Sequence, residues 1–506
     1  MGSRSSLHVA LAMMVVALPP GCETKSGEAP VTSAPASAVP GGAGTTSVVP
    51  PPRPERGTFL RKRLDELTLR VAREDAERER TAIALDEERF AKERATLKSL
   101  DPEERARAMA AIAAMGWPAQ EPLLSAVKEP GLDYERCALL DAISRVADVT
   151  ALPDLLLILQ KDTSPVVRSF AAMAMGRIGD VSILPDLVLR LKYEEDGFVV
   201  NGICRAAGEL GLTIGTRKLL ASLDGRIRVR EEAAEILSGV FGDAWSYDTY
   251  GFASVRTRQA REMRAHFFLE GERILLERNR GLAPTPRLEK RILEAIFELA
   301  QYQMRNVDDA RWTLEGLGPL AVPSLLLGLR DENQYIRAHC VEVFVRMGLP
   351  GRAGREALRP LLADPLHRPD VIKALGKLED RESVDLILSA LDDPAVDVRI
   401  CAADALGRLG DDKALPALRR VHDSAPASEE LRVATVFGMA LLGDASRLPE
   451  AIEILDTSAP VGLWDVAERI DALYRARARK GEPLPEGYPF AGTPEEKVAF
   501  FRGRVG

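Results

Sequence analysis

Apolar residues return every three or four positions in a series of short bursts along most of the chain. In "VRICAADALGRLGD", which begins at Val398, residues Val398, Cys401, Ala402, Ala405, Leu406 and Leu409 fall on one helical stripe. The same stripe returns in "VVRSFAAMAMGRIGD" from Val166. A second apolar helix precedes each such segment. "VDLILSAL" places Val384, Ile387, Leu388 and Leu391 on one face, and "LPDLLLIL" and "VPSLLLGL" do the same. A short turn with Asp and often Pro joins the two, as in "DDPAVDVR" and "KDTSPVVR". The pattern predicts a unit of helix, turn, helix and a closing Gly-Asp loop.

The unit repeats. Eight residues before the small residue of each second helix (Gly407 in the Val398 segment) stand Arg105, Arg136, Arg168, Val200, Arg230, Arg337, Arg368, Arg399 and Arg432. The intervals are 31, 32, 32, 30, 107, 31, 31 and 33 residues, and Val200 alone breaks the arginine column. Neither helix of a pair buries its stripe alone, whereas stacked pairs share one continuous core. The expected fold is therefore all-α, an α-solenoid (superhelix) of stacked antiparallel helix pairs.

This pattern resembles the HEAT repeat, in the short bacterial form also found in phycobilin lyases. That family places an Asp in the turn and an Arg six residues later. Asp162 and Arg168, Asp224 and Arg230, Asp331 and Arg337, and Asp393 and Arg399 keep this spacing. The resemblance covers most of residues 101–243 and 317–445. Each ladder arginine is expected at the edge between repeats, bonded to the turn Asp of its own or the adjacent repeat. A guanidinium suits this place, because its fork holds a carboxylate bidentately while its stem covers apolar surface.

The rest of the chain divides around these repeats. Residues 1–22 resemble an export signal: Arg4 leads into the short apolar run "VALAMMVVAL", and Gly21-Cys22 resembles the end of a bacterial lipobox. Pro19 and Pro20 occupy places where that motif has Leu and a small residue. Cys22 is the lipidation candidate, and an ordinary cleaved signal or an uncleaved anchor is the alternative. Residues 23–57, rich in Pro, Ala and Ser, read as a disordered tether. Residues 58–100 form a charged helical segment, with Leu60, Leu64, Leu67 and Val71 in a seam too short for a coiled coil. It is expected to pack on the domain that follows.

Repeat block 1 spans 101–243 and block 2 spans 317–456. Between them, 244–316 reads as an irregular helical connector. Its aromatic cluster, Trp245, Tyr247, Tyr250 and Phe252, is expected to pack inside, with a docking patch as the alternative. Residues 457–506 read as a C-terminal cap, whose last helix starts at Thr493 and Pro494.

The net charge of −8 argues against nucleic acid as a partner. None of the five histidines has a second ligand at metal spacing, and the chain has no His-Glu dipeptide, so the di-iron HEAT-repeat hydroxylases do not match. No P-loop, GxSxG or GxGxxG occurs in a strand-to-helix setting. No catalytic, cofactor-binding or metal-binding residue is therefore expected. Cys137, Cys204, Cys340 and Cys401 lie on apolar stripes and read as small buried hydrophobes.

Nine residues after the ladder arginines come Arg145, Arg177, Arg346, Lys377 and Arg408. Positions of equal phase line up in a stack, so these cations form a candidate binding stripe for an acidic peptide or a lipid headgroup. The alternative is pairing with the loop acids Asp148, Asp180, Asp380 and Asp411, or with the negative helix ends. The sequence thus points to a non-enzymatic scaffold for an unidentified protein partner, exported to the cell envelope and held at the membrane only by its lipid. A bilin-lyase-like enzyme or ligand chaperone is the rival function, and the cytoplasm the rival location.

Overall fold

The computed structural model describes residues 58–78, 85–99, 101–242, 245–301, 304–424, 428–457 and 462–505. Residues 1–57, with Cys22 and the tether, lie outside the described residues. The helices, in order, are α1 (Thr58–Arg78), α2 (Glu87–Thr96), α3 (Pro102–Ala113), α4 (Gln120–Lys128), α5 (Asp133–Val146), α6 (Leu152–Lys161), α7 (Pro165–Ile178), α8 (Leu184–Tyr193), α9 (Gly197–Glu209), α10 (Thr216–Ser222), α11 (Ile227–Phe241), α12 (Ala253–Arg278) and α13 (Pro286–Glu298). They continue as α14 (Met304–Leu317), α15 (Val322–Gly328), α16 (Gln334–Met347), α17 (Arg355–Leu358), α18 (Arg368–Lys377), α19 (Val384–Ser389), α20 (Val396–Leu409), α21 (Ala414–Asp423), α22 (Glu429–Leu441), α23 (Leu448–Thr457), α24 (Leu463–Arg479) and α25 (Pro494–Val505). Among the described residues no regular element is a strand. The fold is an all-α solenoid of helix pairs.

Polar caps set the starts of the second helices. Ser164 Oγ accepts from Val167 N, Asn333 Oδ1 from Tyr335 N, and Ser428 Oγ from Leu431 N. A left-handed residue, usually glycine, ends them: Gly179, Gly410 and Gly443 have φ of 82°, 68° and 103°.

The second helices lie side by side, α3 to α5, α7, α9 and α11, and then α14 to α16, α18, α20 and α22. The small-residue column is where they touch. A Cβ on Gly176 would stand 2.7 Å from Ala206 Cα, one on Gly376 2.8 Å from Ala405 Cα, and one on Gly407 2.8 Å from Gly438 Cα. A side chain there would wedge neighbouring repeats apart, which is why the column stays small.

The region between the blocks differs from the expected irregular connector. α12 is one 26-residue helix. α13 and α14 form a regular pair that heads block 2, so the boundary read at 316/317 falls inside α14. Asn306 of α14 stands 31 residues before Arg337, at the ladder position but without its arginine, which hid this repeat. α14 packs on α8: Trp312 Nε1 donates to Val188 O at 3.1 Å, and Lys192 meets Asp309 at 2.7 Å.

The aromatic cluster splits. Trp245 lies against His266, with ring centroids 4.8 Å apart, and the Tyr247 hydroxyl donates to Leu223 O at 3.0 Å. Tyr250 and Phe252 are exposed. The charged N-terminal segment also departs from expectation. α2 packs on α3, but α1 buries Leu60 and Leu67 and packs on α13, with Arg63 forked onto Glu289 at 2.8 and 2.9 Å. A two-heptad seam shows that α1 needs a partner and cannot name one some 220 residues away.

Candidate functional site

The arginine ladder is a stacking device. Arg105, Arg168, Arg337, Arg368 and Arg399 each donate to the main-chain carbonyl six residues back: Ser99, Asp162, Asp331, Leu362 and Asp393, at 2.7 to 2.9 Å. Arg230 donates to Gly225 O at 3.3 Å and Arg136 to Val127 O at 3.1 Å. The carboxylate of the turn goes to the preceding repeat instead. Arg136 forks onto Asp162, Arg368 reaches Asp393 at 2.5 Å, and Arg168 reaches Glu194 at 3.5 Å. Arg432 pairs with Glu450.

Of the two expected places, the turn carboxylate of the adjacent repeat is the one that Arg136 and Arg368 reach, while within a repeat the arginine bonds a main-chain carbonyl instead. The cause is local. Asp162, Asp331 and Asp393 each fold the carboxylate back to accept the amide two residues on: Ser164 N at 2.9 Å, Asn333 N at 2.8 Å and Ala395 N at 2.9 Å. Burial pushes the Asp162 carboxyl up, but the Arg136 fork and the Ser164 amide outweigh it and hold it below the usual carboxylate range. Asp331 has no such fork, and burial raises its carboxyl. Asp224 pairs with Arg264 of α12 at 2.5 Å.

The candidate basic stripe is resolved differently. On α5, α9, α14, α16, α18 and α20 the residues five and nine places after the ladder position are charged and share one side of the helix. These columns carry both signs of charge. Arg145 and Arg177 share Asp141, and Arg205 forks onto Glu235 at 3.0 and 3.3 Å. Arg311 pairs with Glu342, and Arg346 with Glu315 at 3.1 Å. The stripe is thus an acid–base zipper between neighbouring second helices. Its partners are not the loop acids considered as the alternative. Asp148, Asp180 and Asp411 instead cap Thr150, Ser182 and Lys413, and Asp380 takes Arg359.

Lys377 and Arg408, the last two members, meet α24. α24 packs on α22 and on α25, and α25 also packs on α23, with Phe501 against Phe437 of α22 at 5.5 Å. The N-terminal turns of α24 meet α18 and α20. Glu468 accepts Lys377 at 3.0 Å and Arg408 at 2.6 Å, Arg469 forks onto Asp404 at 2.7 and 2.8 Å, and Asp465 lies 3.6 Å from Lys373. Arg469 is only 5% exposed. Burial works against the Glu468 charge, but Arg408 and Lys377 prevail and bring its carboxyl down to about 2. Burial lowers the Lys377 ammonium.

The C-terminal end of α24 is anchored separately. Arg475 donates to Phe268 O of α12 at 2.9 Å, with its guanidinium 4.6 Å from that ring. Arg479 meets Glu379 at 3.1 Å. Sequence reasoning placed this segment in the cap and missed its contacts. Its only signal was the charge pattern "DVAER", with acids spaced to meet the predicted cations.

The chemistry available elsewhere is limited. Cys137, Cys204 and Cys340 are buried and unpaired. Burial pushes the thiols of Cys137, Cys204 and Cys401 up to about 12 and raises Cys340 as well, so all four stay protonated. His422 lies between Thr435 Oγ1 and Glu450 Oε2, each at 3.1 Å. Thr435 is fully buried and its hydroxyl donates to Leu431 O at 2.9 Å, so the trio is a core hydrogen-bond chain. Among the described residues no group of His, Cys, Asp and Glu is placed to hold a metal, and no helix is long and apolar enough to cross a membrane.

HEAT repeats are matched at residues 152–238 and 355–435. No curated protein sequence matches the chain. Among solved structures, Kap121p bound to Pho4p is 13% identical, with a TM-score of 0.28 over 81% of this chain and 49% of that one. Kap121p bound to Nup53p is 13% identical, with a TM-score of 0.28 over 87% and 54%. The chain thus spans about half the length of these Kap121p chains. Human deoxyhypusine hydroxylase in complex with glycerol is 18% identical, with a TM-score of 0.20 over 64% of this chain and 96% of that one.

Proposed function

We propose that this chain of HEAT repeats is a non-enzymatic scaffold that binds a protein partner through the outward face of its second helices. It is exported to the cell envelope and tethered there through a lipid on Cys22. The observation that carries the binding role is the face of block 1. From α5 to α11 the register of the repeats brings Asp141, Arg145, Arg177, Arg205, Glu209 and Glu235 onto one surface. Arg145 is 51%, Arg177 45% and Glu235 68% exposed at the side chain. Such a mixed-sign face selects a partner by charge register, and its curvature and reach are supplied by the stack rather than by any one residue.

The lipid anchor is supported by the Cys22 context. Cross-linking in cell envelopes tests the binding role. Arg177→Glu combined with Arg205→Glu should abolish a cross-linked partner band while far-UV circular dichroism stays unchanged. A band that survives the charge reversal removes the face from the account. Palmitate labelling of wild type and Cys22→Ala tests the anchor, and equal labelling refutes it.

A further inference from the structure

A cleft of about 350 Å³ opens between α12 and the turn that joins α24 to α25. One wall is cationic. Arg261 and Arg264 stand three residues apart on one side of α12, and both border the cleft. The other wall is the turn at residues 487–492, with Pro489, Phe490 and Ala491. No acid lines the cleft.

Both walls are held from behind. Arg264 donates to Leu220 O of α10 at 2.8 Å and to Asp224 at 2.5 Å. Both bonds use Nη2, so its Nε and Nη1 hydrogens are unclaimed among the described residues. Arg261 is exposed and has no hydrogen bond or ion pair among those residues, since its neighbours Arg258 and Glu262 meet each other. Across the cleft, the buried Tyr488 donates its hydroxyl to Asp471, and its ring lies 4.5 Å from that of Tyr474 and 5.4 Å from that of Phe500. Phe490 stacks on Phe268 of α12, with centroids 5.7 Å apart. The Glu496 carboxylate behind the turn accepts Thr493 N at 2.9 Å in the cap of α25. A wall fixed in this way loses little freedom when a ligand arrives.

Two guanidiniums beside an apolar wall select a ligand that carries an anion and an apolar group side by side. The end of a polypeptide carries both on one carbon: its carboxylate and its last side chain. A phosphate brings the charge but nothing for Pro489 and Phe490 to cover. The cleft is open to solvent, so a small acid would leave much of its surface wet, whereas a polypeptide adds contacts beyond the rim.

We propose that this cleft captures the C-terminal carboxylate of a partner polypeptide whose last residue is apolar. Arg261 and Arg264 hold the carboxylate, and Pro489, Phe490 and Ala491 cover the last side chain. The inference rests on the protein-binding role, adds a terminal chemistry to it, and uses none of the block 1 face.

The test titrates the full chain into a fluorescein-labelled peptide, Ser-Gly-Ser-Gly-Val-Leu, and reads anisotropy. The free acid should bind with a Kd below about 1 mM, and the same peptide with a C-terminal amide at least about tenfold more weakly, because charge-assisted bonds are lost. Arg261→Ala should weaken the free acid about tenfold while the urea midpoint stays unchanged, since that side chain has no partner to lose. Ala491→Asp sets a carboxylate in the cleft and should abolish binding.

Equal binding of acid and amide overturns the proposal, as does wild-type affinity in either variant. So does the absence of saturable binding below about 1 mM. Displacement of the peptide by an equal concentration of isocaproate makes a small acid the occupant and overturns the polypeptide assignment. Arg177→Glu with Arg205→Glu should leave the peptide affinity unchanged, so failure of this cleft and failure of the block 1 face are separate results.

Discussion

Gly407→Ala places one methyl group at the closest approach of two stacked second helices. A Cβ there stands 2.8 Å from Gly438 Cα, 3.0 Å from Leu441 Cδ1 and 3.1 Å from Gly438 O. Carbon atoms rest about 3.5 to 4.0 Å apart, so α22 must retreat by about 0.7 Å or more. Two of the three obstructing atoms are main chain and cannot rotate away. Overpacking of this kind costs about 1–3 kcal/mol. The helix propensity of alanine over glycine returns about 1 kcal/mol, which leaves a net loss of up to about 2 kcal/mol.

Gly239 of α11 supplies the control, because nothing stands within 4 Å of a Cβ built there. Gly239→Ala should therefore stabilise by about 0.5–1 kcal/mol. The two substitutions are chemically identical, and only the stacking makes their signs differ. Urea unfolding followed by far-UV circular dichroism measures both. Hydrogen exchange then locates the change in α20 and α22, since a repeat stack need not unfold as one unit. If Gly407→Ala stabilises the chain as Gly239→Ala does, close packing of the small-residue column is refuted.

Arg136→Met leaves the Asp162 carboxylate, 8% exposed at the side chain, without its fork. Removing one partner of such a pair should cost about 3 kcal/mol in urea unfolding, and adding Asp162→Leu should recover most of it. The α24 clasp should be sensitive to acid. The Glu468 carboxyl is brought from 4.5 down to about 2, so its contribution is complete above about 4.5 and is lost as pH falls toward 2. Lys377 of α18 and Arg408 of α20 face it, with Lys373 of α18 beside Asp465. Exchange protection of α24 should drop between pH 5 and pH 2 before that of α20, and protection that is flat over this interval contradicts the assignment.

The repeat architecture could be read from the residues because every unit states it again. Helical stripes are local, the turn residues are local, and a period of 30 to 33 residues copies both down the chain. The same translation put Arg145, Arg177, Arg346, Lys377 and Arg408 in one column before any coordinate was known. It missed the repeat built on α14, where Asn306 replaces the ladder arginine.

Which acid each cation meets was decided only by the tertiary structure. Arg177 finds Asp141 at a separation of 36 residues, and Arg408 finds Glu468 at 60. A charge carries no address: its Coulomb energy depends on distance in the folded chain, and dozens of acids satisfy it equally on paper. The stripe of α24 likewise looks like that of any second helix. Only the folded chain shows that α24 packs on α22 and α25 while its charged side chains reach α18 and α20, because side-chain packing between distant elements is not written in a local stripe.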